Sequence, residues 1–122
     1  MTSGRNDTRV EQHGSVTAVT ISGEADLHNL AEVVEAFAQA LHDPHTKATV
    51  IDLSDLTFAD SVLLNQLLRA QTDHRAEGRP LRIAGPLHPG VERLLEITGA
   101  DEILDVAADL GTALRECGAE PR

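Results

Sequence analysis

The chain has 122 residues, enough for one domain with a real core and too few for two. Twenty acidic against ten basic residues give a formal charge of −10, and the basic residues are scattered, so nucleic acid and anionic membranes are disfavoured as partners. Phe37 and Phe58 are the only aromatics, which makes the core aliphatic and argues against stacking on bases or sugars.

The lone cysteine, Cys117, forms no internal disulfide and falls on the apolar side of the last helix, where it reads as packing. No apolar run reaches membrane-spanning length. The polar start, residues 1–8, lacks a signal-peptide core. The expectation from these features is a cytoplasmic protein.

In chain order, residues 1–8 read as a flexible tail. Residues 9–11 read as a short edge strand, 12–15 as a turn, and 16–21 as a strand, together an opening hairpin. Asn29, with Glu32 three positions on, predicts a capped helix running to about residue 42. Its apolar stripe is Leu30, Val33, Val34, Phe37 and Leu41, and Asp43-Pro44 ends it. Residues 48–53 are apolar on both faces and predict a central strand covered on both sides. A polar corner follows from Ser54 to Asp60. A helix then carries Leu63, Leu64, Leu67 and Leu68 on one face to about residue 76, with Gly78 as its stop.

Residues 81–84 predict the next strand, Pro89 opens a helix that Gly99 ends, and 103–106 predict a last short strand. Leu110, Ala113, Leu114 and Cys117 mark a closing amphipathic helix, and 118–122 read as a frayed tail. Strands alternating with helices imply an α/β domain over residues 9–117, with a largely parallel sheet and an antiparallel edge from the hairpin. Periodicity alone suggests helices on both faces.

The chemistry concentrates at Asp60-Ser61, where a strand-end loop enters a helix. No Gly-x-Ser-x-Gly elbow surrounds Ser61, no metal-ligand spacing occurs, and no Gly-rich phosphate loop is present. The six histidines are dispersed and read as solvated side chains, so neither enzyme chemistry, a cofactor nor a metal is expected. Asp and Ser are both favoured helix caps, which is a sufficient structural reason for either. Asp26 also leaves a strand end, so Asp26 and Asp60 are expected at one rim, with Asp52 and Asp55 near it. Phosphate on Ser61 would meet the positive end of the helix dipole and crowd these carboxylates.

Gly23-Glu24-Ala25-Asp26, Val50-Ile51-Asp52-Leu53-Ser54, Phe58-Ala59-Asp60-Ser61 and Leu94-Leu95-Glu96-Ile97-Thr98-Gly99 resemble the STAS domain, most of all bacterial anti-sigma factor antagonists. The likeness runs from about residue 9 to 115. It implies a four- to five-stranded mixed sheet with about four helices packed mainly on one face. It implies a monomeric, non-enzymatic module that binds an anti-sigma factor, often a serine kinase, and so releases a sigma factor in a stress response. Phosphorylation at the position of Ser61 would break that complex and a phosphatase would restore it. Asp26 matches an acidic residue at the kinase-binding rim, with Asp60 beside it.

The usual pattern is Asp-Ser-Ser/Thr-Gly. Here Val62 and Leu63 follow Ser61, and Asn65 stands where a second glycine is common, so Leu63 and Asn65 are expected on the docking face. Two other readings remain open: a small-ligand or nucleotide sensor in the same crevice, and a scaffold subunit in which Ser61 is never phosphorylated.

Overall fold

The computed structural model describes residues 6–25 and 30–118. Strand β1, Asn6–His13, turns at Gly14 into β2, Val16–Ala25, and the two pair antiparallel from His13↔Val16 to Asn6↔Gly23. Gly14 holds φ 65° at this turn, a conformation open to glycine at no steric cost. Asn6–Thr8 therefore belong to the hairpin rather than to a tail, and the edge strand is eight residues long instead of three.

Helix α1, Leu30–His42, leads to β3, Ala48–Asp52, which runs parallel to the first half of β2. The expected cap of α1, Asn29, lies outside the described residues. The apolar stripe of α1 is rotated from the expected one: Val33, Ala36, Phe37 and Ala40 are buried, while Val34 faces solvent. Small alanines close against the sheet where the sequence pattern favoured the larger valine.

The corner after β3 is not all loop. Leu56–Ala59 form a strand, β4, parallel to the second half of β2. Only Leu56 of its four residues is buried, so it lacks the apolar run that marks an interior strand. Helix α2 spans Ser61–Ala76, and β5, Leu81–Ala84, pairs with the far side of β3. Helix α3, Pro89–Thr98, ends on Gly99 at φ 80°, and a short 3-10 turn covers Ala100–Glu102. The last strand, β6, is Val106–Ala107, so most of the expected 103–106 strand is turn. Helix α4, Leu110–Glu116, closes the described chain.

The sheet order is β1-β2-β3-β5-β6, with β4 beside the end of β2. Val50 and Ile51 are neighbours in β3 but enter opposite apolar clusters, as strand alternation requires. On one face Val19, Ile21, Ile51 and Ile83 pack with α1, α2 and α3 through Phe37, Leu67 and Leu95. On the other, Val16, Val50 and Ala84 meet Ala113 of α4, with Leu110, Leu114 and Cys117 alongside. Among the described residues three helices lie on one face and one short helix on the other, so the sheet, mixed through its antiparallel β1–β2 pair, is covered mainly from one side.

Candidate functional site

The site is built where β4 hands over to α2. Parallel pairing of β2 with β4 sets Ala25 opposite Ala59, so both strands end at the same edge of the sheet. Two bonds lock this end: Gly23 N–H donates to Asp55 O at 3.0 Å, and Thr57 Oγ1 donates to Gly23 O at 3.0 Å. Gly23 sits at φ 83° beside a register shift, which lets β2 bend from β3 toward β4. Asp26, the next residue after Ala25, lies outside the described residues.

Asp60 is the helix cap. Its backbone is extended, its Oδ1 accepts the N–H groups of Val62 and Leu63, both at 3.1 Å, and its carbonyl takes Leu64 N–H at 3.1 Å. Ser61 is the first helical residue and is exposed. Its hydroxyl makes no hydrogen bond among the described residues. Capping thus accounts for Asp60, and no described residue gives the Ser61 hydroxyl a structural task.

Leu63 is corrected by this geometry. Its side chain is fully buried in the core beneath α2, so it lies behind the candidate surface and not on it. Helix rotation is the reason: two positions beyond Ser61, the chain has turned inward. Asn65 is exposed and lines a shallow groove along α2 with Val62, Leu68 and Arg69. Asp52 is buried and holds Ser54 N–H at 3.0 Å, so it shapes the turn after β3, whereas Asp55 is exposed.

Phe58 carries no site role in the sequence reading. It is 49% exposed on β4, two residues before Asp60. Its signal was scarcity: it is one of only two aromatics, and the other, Phe37, is buried in the core. An exposed aromatic ring beside a polar corner has the composition of an interface anchor.

The histidines also divide. His74 is buried, with Nδ1 donating to Ala70 O at 2.8 Å and Nε2 2.8 Å from the Thr49 hydroxyl. Burial lowers its pKa below the ordinary imidazole value, and Arg79 adds to the fall against the Ala70 bond and Asp73. His74 is therefore a neutral core side chain, not a solvated one. Burial likewise pushes the Cys117 thiol up. Among the described residues no group of three His, Cys, Asp or Glu side chains is placed to hold a metal. No described helix is long and apolar enough to cross a membrane.

A family model described as "Mlab, STAS domain" matches residues 8–106. The chain belongs to the STAS domain family. Among solved structures, an anti-sigma factor antagonist from Mycobacterium paratuberculosis is 24% identical at TM-score 0.82, with 96% of this chain and 98% of that one covered. The anti-sigma factor antagonist SpoIIAA in its unphosphorylated form is 16% identical at TM-score 0.76, covering 94% and 100%. The Bacillus cell fate determinant SpoIIAA in its phosphorylated form is 15% identical at TM-score 0.70, covering 90% and 99%. At these identities the likeness establishes the STAS fold, including the mixed sheet and its opening hairpin.

Proposed function

We propose that this STAS domain is an anti-sigma factor antagonist, a binding module gated by phosphorylation of Ser61. The carrying observation is the exposed Ser61 hydroxyl, left idle by a cap that Asp60 alone supplies. The solved relatives named above support the reading, since they are anti-sigma factor antagonists, one of them phosphorylated.

In the neutral state the surface around Ser61 docks the anti-sigma factor, with Phe58 as apolar anchor and Asn65 and Asp60 as polar contacts. Asp26 is a further contact in this reading, carried over from the family resemblance alone. The anti-sigma factor, as a serine kinase, transfers the γ-phosphoryl of its own ATP to Ser61 Oγ, and the hydroxyl proton leaves to a base on the kinase. A phosphatase reverses the change. Sigma factor is released while the neutral form holds the anti-sigma factor.

The gate works by charge. Phosphoserine adds about −1.5 to −2 at neutral pH. The helix end cannot absorb all of it, because the Val62 and Leu63 N–H groups already bond the Asp60 carboxylate. The new anion therefore projects into the docking face, next to a fixed negative charge.

The test is incubation with the cognate anti-sigma kinase and ATP, followed by intact-mass analysis and peptide mapping. One added phosphate on Ser61, with loss of the complex on size exclusion, is expected. Phosphate at another residue, or a phosphorylated complex as tight as the neutral one, overturns the gate. Ser61→Ala that binds like the parent while Ser61→Glu binds equally well leaves the scaffold reading in its place.

A further inference from the structure

A cleft of about 330 Å3 opens between α3 and β6, the last strand of the sheet. Leu95 and Leu104 lie buried beneath it, and its open apolar surface comes from half-buried Leu87 and from Val106, which is 42% exposed. Its rim is acidic: Glu92, Glu96, Asp101 and Asp105 all line it. Arg82 engages Asp105 at 3.0 Å. The other three rim carboxylates have no ion-pair partner among the described residues.

Glu92 and Glu96 stand four residues apart on α3, a spacing at which like charges repel. The helix dipole favours Glu92 in the first turn, but nothing within α3 offsets its repulsion from Glu96. The two segments that form the cleft also carry exposed isoleucines. Glu96 is followed by Ile97, 70% exposed, and Leu104 is preceded by Ile103, 50% exposed. Exposed isoleucine beside unpaired carboxylate is the makeup of a surface that awaits a cover.

We propose that this cleft docks a basic amphipathic helix of a partner protein. Charge complementarity selects the occupant: Lys or Arg four residues apart on the incoming helix meets Glu92 and Glu96, and its aliphatic stripe packs on Leu87 and Val106. A strand is the poorer occupant, since β6 offers only Val106–Ala107 as a template. A second copy of the chain carries the same −10 charge and is repelled. The cleft shares no residue with the Ser61 corner, so the proposal stands apart from the phosphorylation gate.

The experiment titrates the full 15N-labelled chain with a designed Leu/Lys amphipathic helical peptide about 18 residues long, and with a scrambled peptide of equal composition. Amide shifts centred on Glu92, Glu96, Leu104 and Val106 are expected with the helical peptide. The scrambled one is expected to bind about tenfold more weakly, because it keeps the charge and loses the apolar stripe. Glu92→Gln/Glu96→Gln is expected to weaken binding of the helical peptide about tenfold while the variant's Tm stays level, since the repulsion removed offsets the lost dipole interaction of Glu92. Equal binding of the two peptides, shifts spread over other acidic surfaces, or undiminished binding to the double variant overturns the proposal. So does a concentration-dependent dimer in sedimentation velocity that the same double substitution abolishes, which assigns the cleft to a second copy. Unchanged peptide binding by Ser61→Glu separates this result from the fate of the gate.

Discussion

Asp60 and Leu63 are joined across the first turn of α2: the carboxylate of one accepts the N–H of the other at 3.1 Å, while the Leu63 side chain is sunk in the core. The half-buried cap is thereby tied to the interior through its side chain, and its carbonyl adds a bond to the N–H of buried Leu64. Asp60→Ala is expected to cost about 1 kcal/mol of stability by losing the cap. Asp60→Asn keeps an acceptor and should cost less. Urea denaturation of the three proteins checks the order. In the gated reading, Asp60→Asn also removes the fixed charge, so phosphorylation should weaken partner binding less than in the parent, measured by calorimetry.

Ser61 should behave oppositely. With no bond to lose, Ser61→Ala is expected within about 0.5 kcal/mol of the parent in stability. Ser61→Glu is expected to bind the anti-sigma factor at least about tenfold more weakly than Ser61→Ala, the scale of one unfavourable charge contact of 1–2 kcal/mol at an interface. A large stability loss in Ser61→Ala would return the residue to the role of a cap.

Leu63→Ala is expected to destabilise by about 2–5 kcal/mol, as for other buried leucines. Partner affinity, measured where the variant remains folded, should hold. Phe58→Ala should do the reverse: it is half exposed, so its stability cost is small, yet partner affinity should fall about tenfold or more if it is an anchor. The pair of substitutions separates core from docking face.

The His74 imidazole gives a pH dependence. Its folded pKa is lowered, chiefly by burial. The unfolded chain therefore takes up a proton first as pH falls, so the stabilising contribution is present above the unfolded value near 6.5 and is lost as pH drops through the folded pKa. Denaturation at pH 7.5 and pH 5.5 should show a loss of stability on acidification that is smaller in His74→Gln. A steeper loss in the variant would contradict the assignment.

The corner at Asp60-Ser61 was legible because polar cap residues stand between two strongly apolar segments, a contrast that survives without coordinates. β3 and α2 were legible for the same reason. β4 was not, because its partner in β2 lies over thirty residues earlier and its own side chains Thr57 and Phe58 face outward. The burial of Leu63 was hidden by reading it through a glycine position, although it shares the apolar face with Leu67 that the spacing itself marks. Val34 and His74 misled in opposite directions: one is an aliphatic residue turned to water, the other an ionisable ring paid for by two hydrogen bonds in the interior.

In the gated reading, the pairing of β4 with the far half of β2 bears on how a kinase would read Ser61. Ser61 is presented by a clasp between segments remote in the chain, through Ala25 opposite Ala59 and the bonds around Gly23. A linear fragment excised around the serine carries none of that clasp. The modifying enzyme is thus expected to ignore such a peptide and to act on a three-dimensional epitope, which makes substrate choice a matter of shape and spares unrelated serines with similar flanking residues.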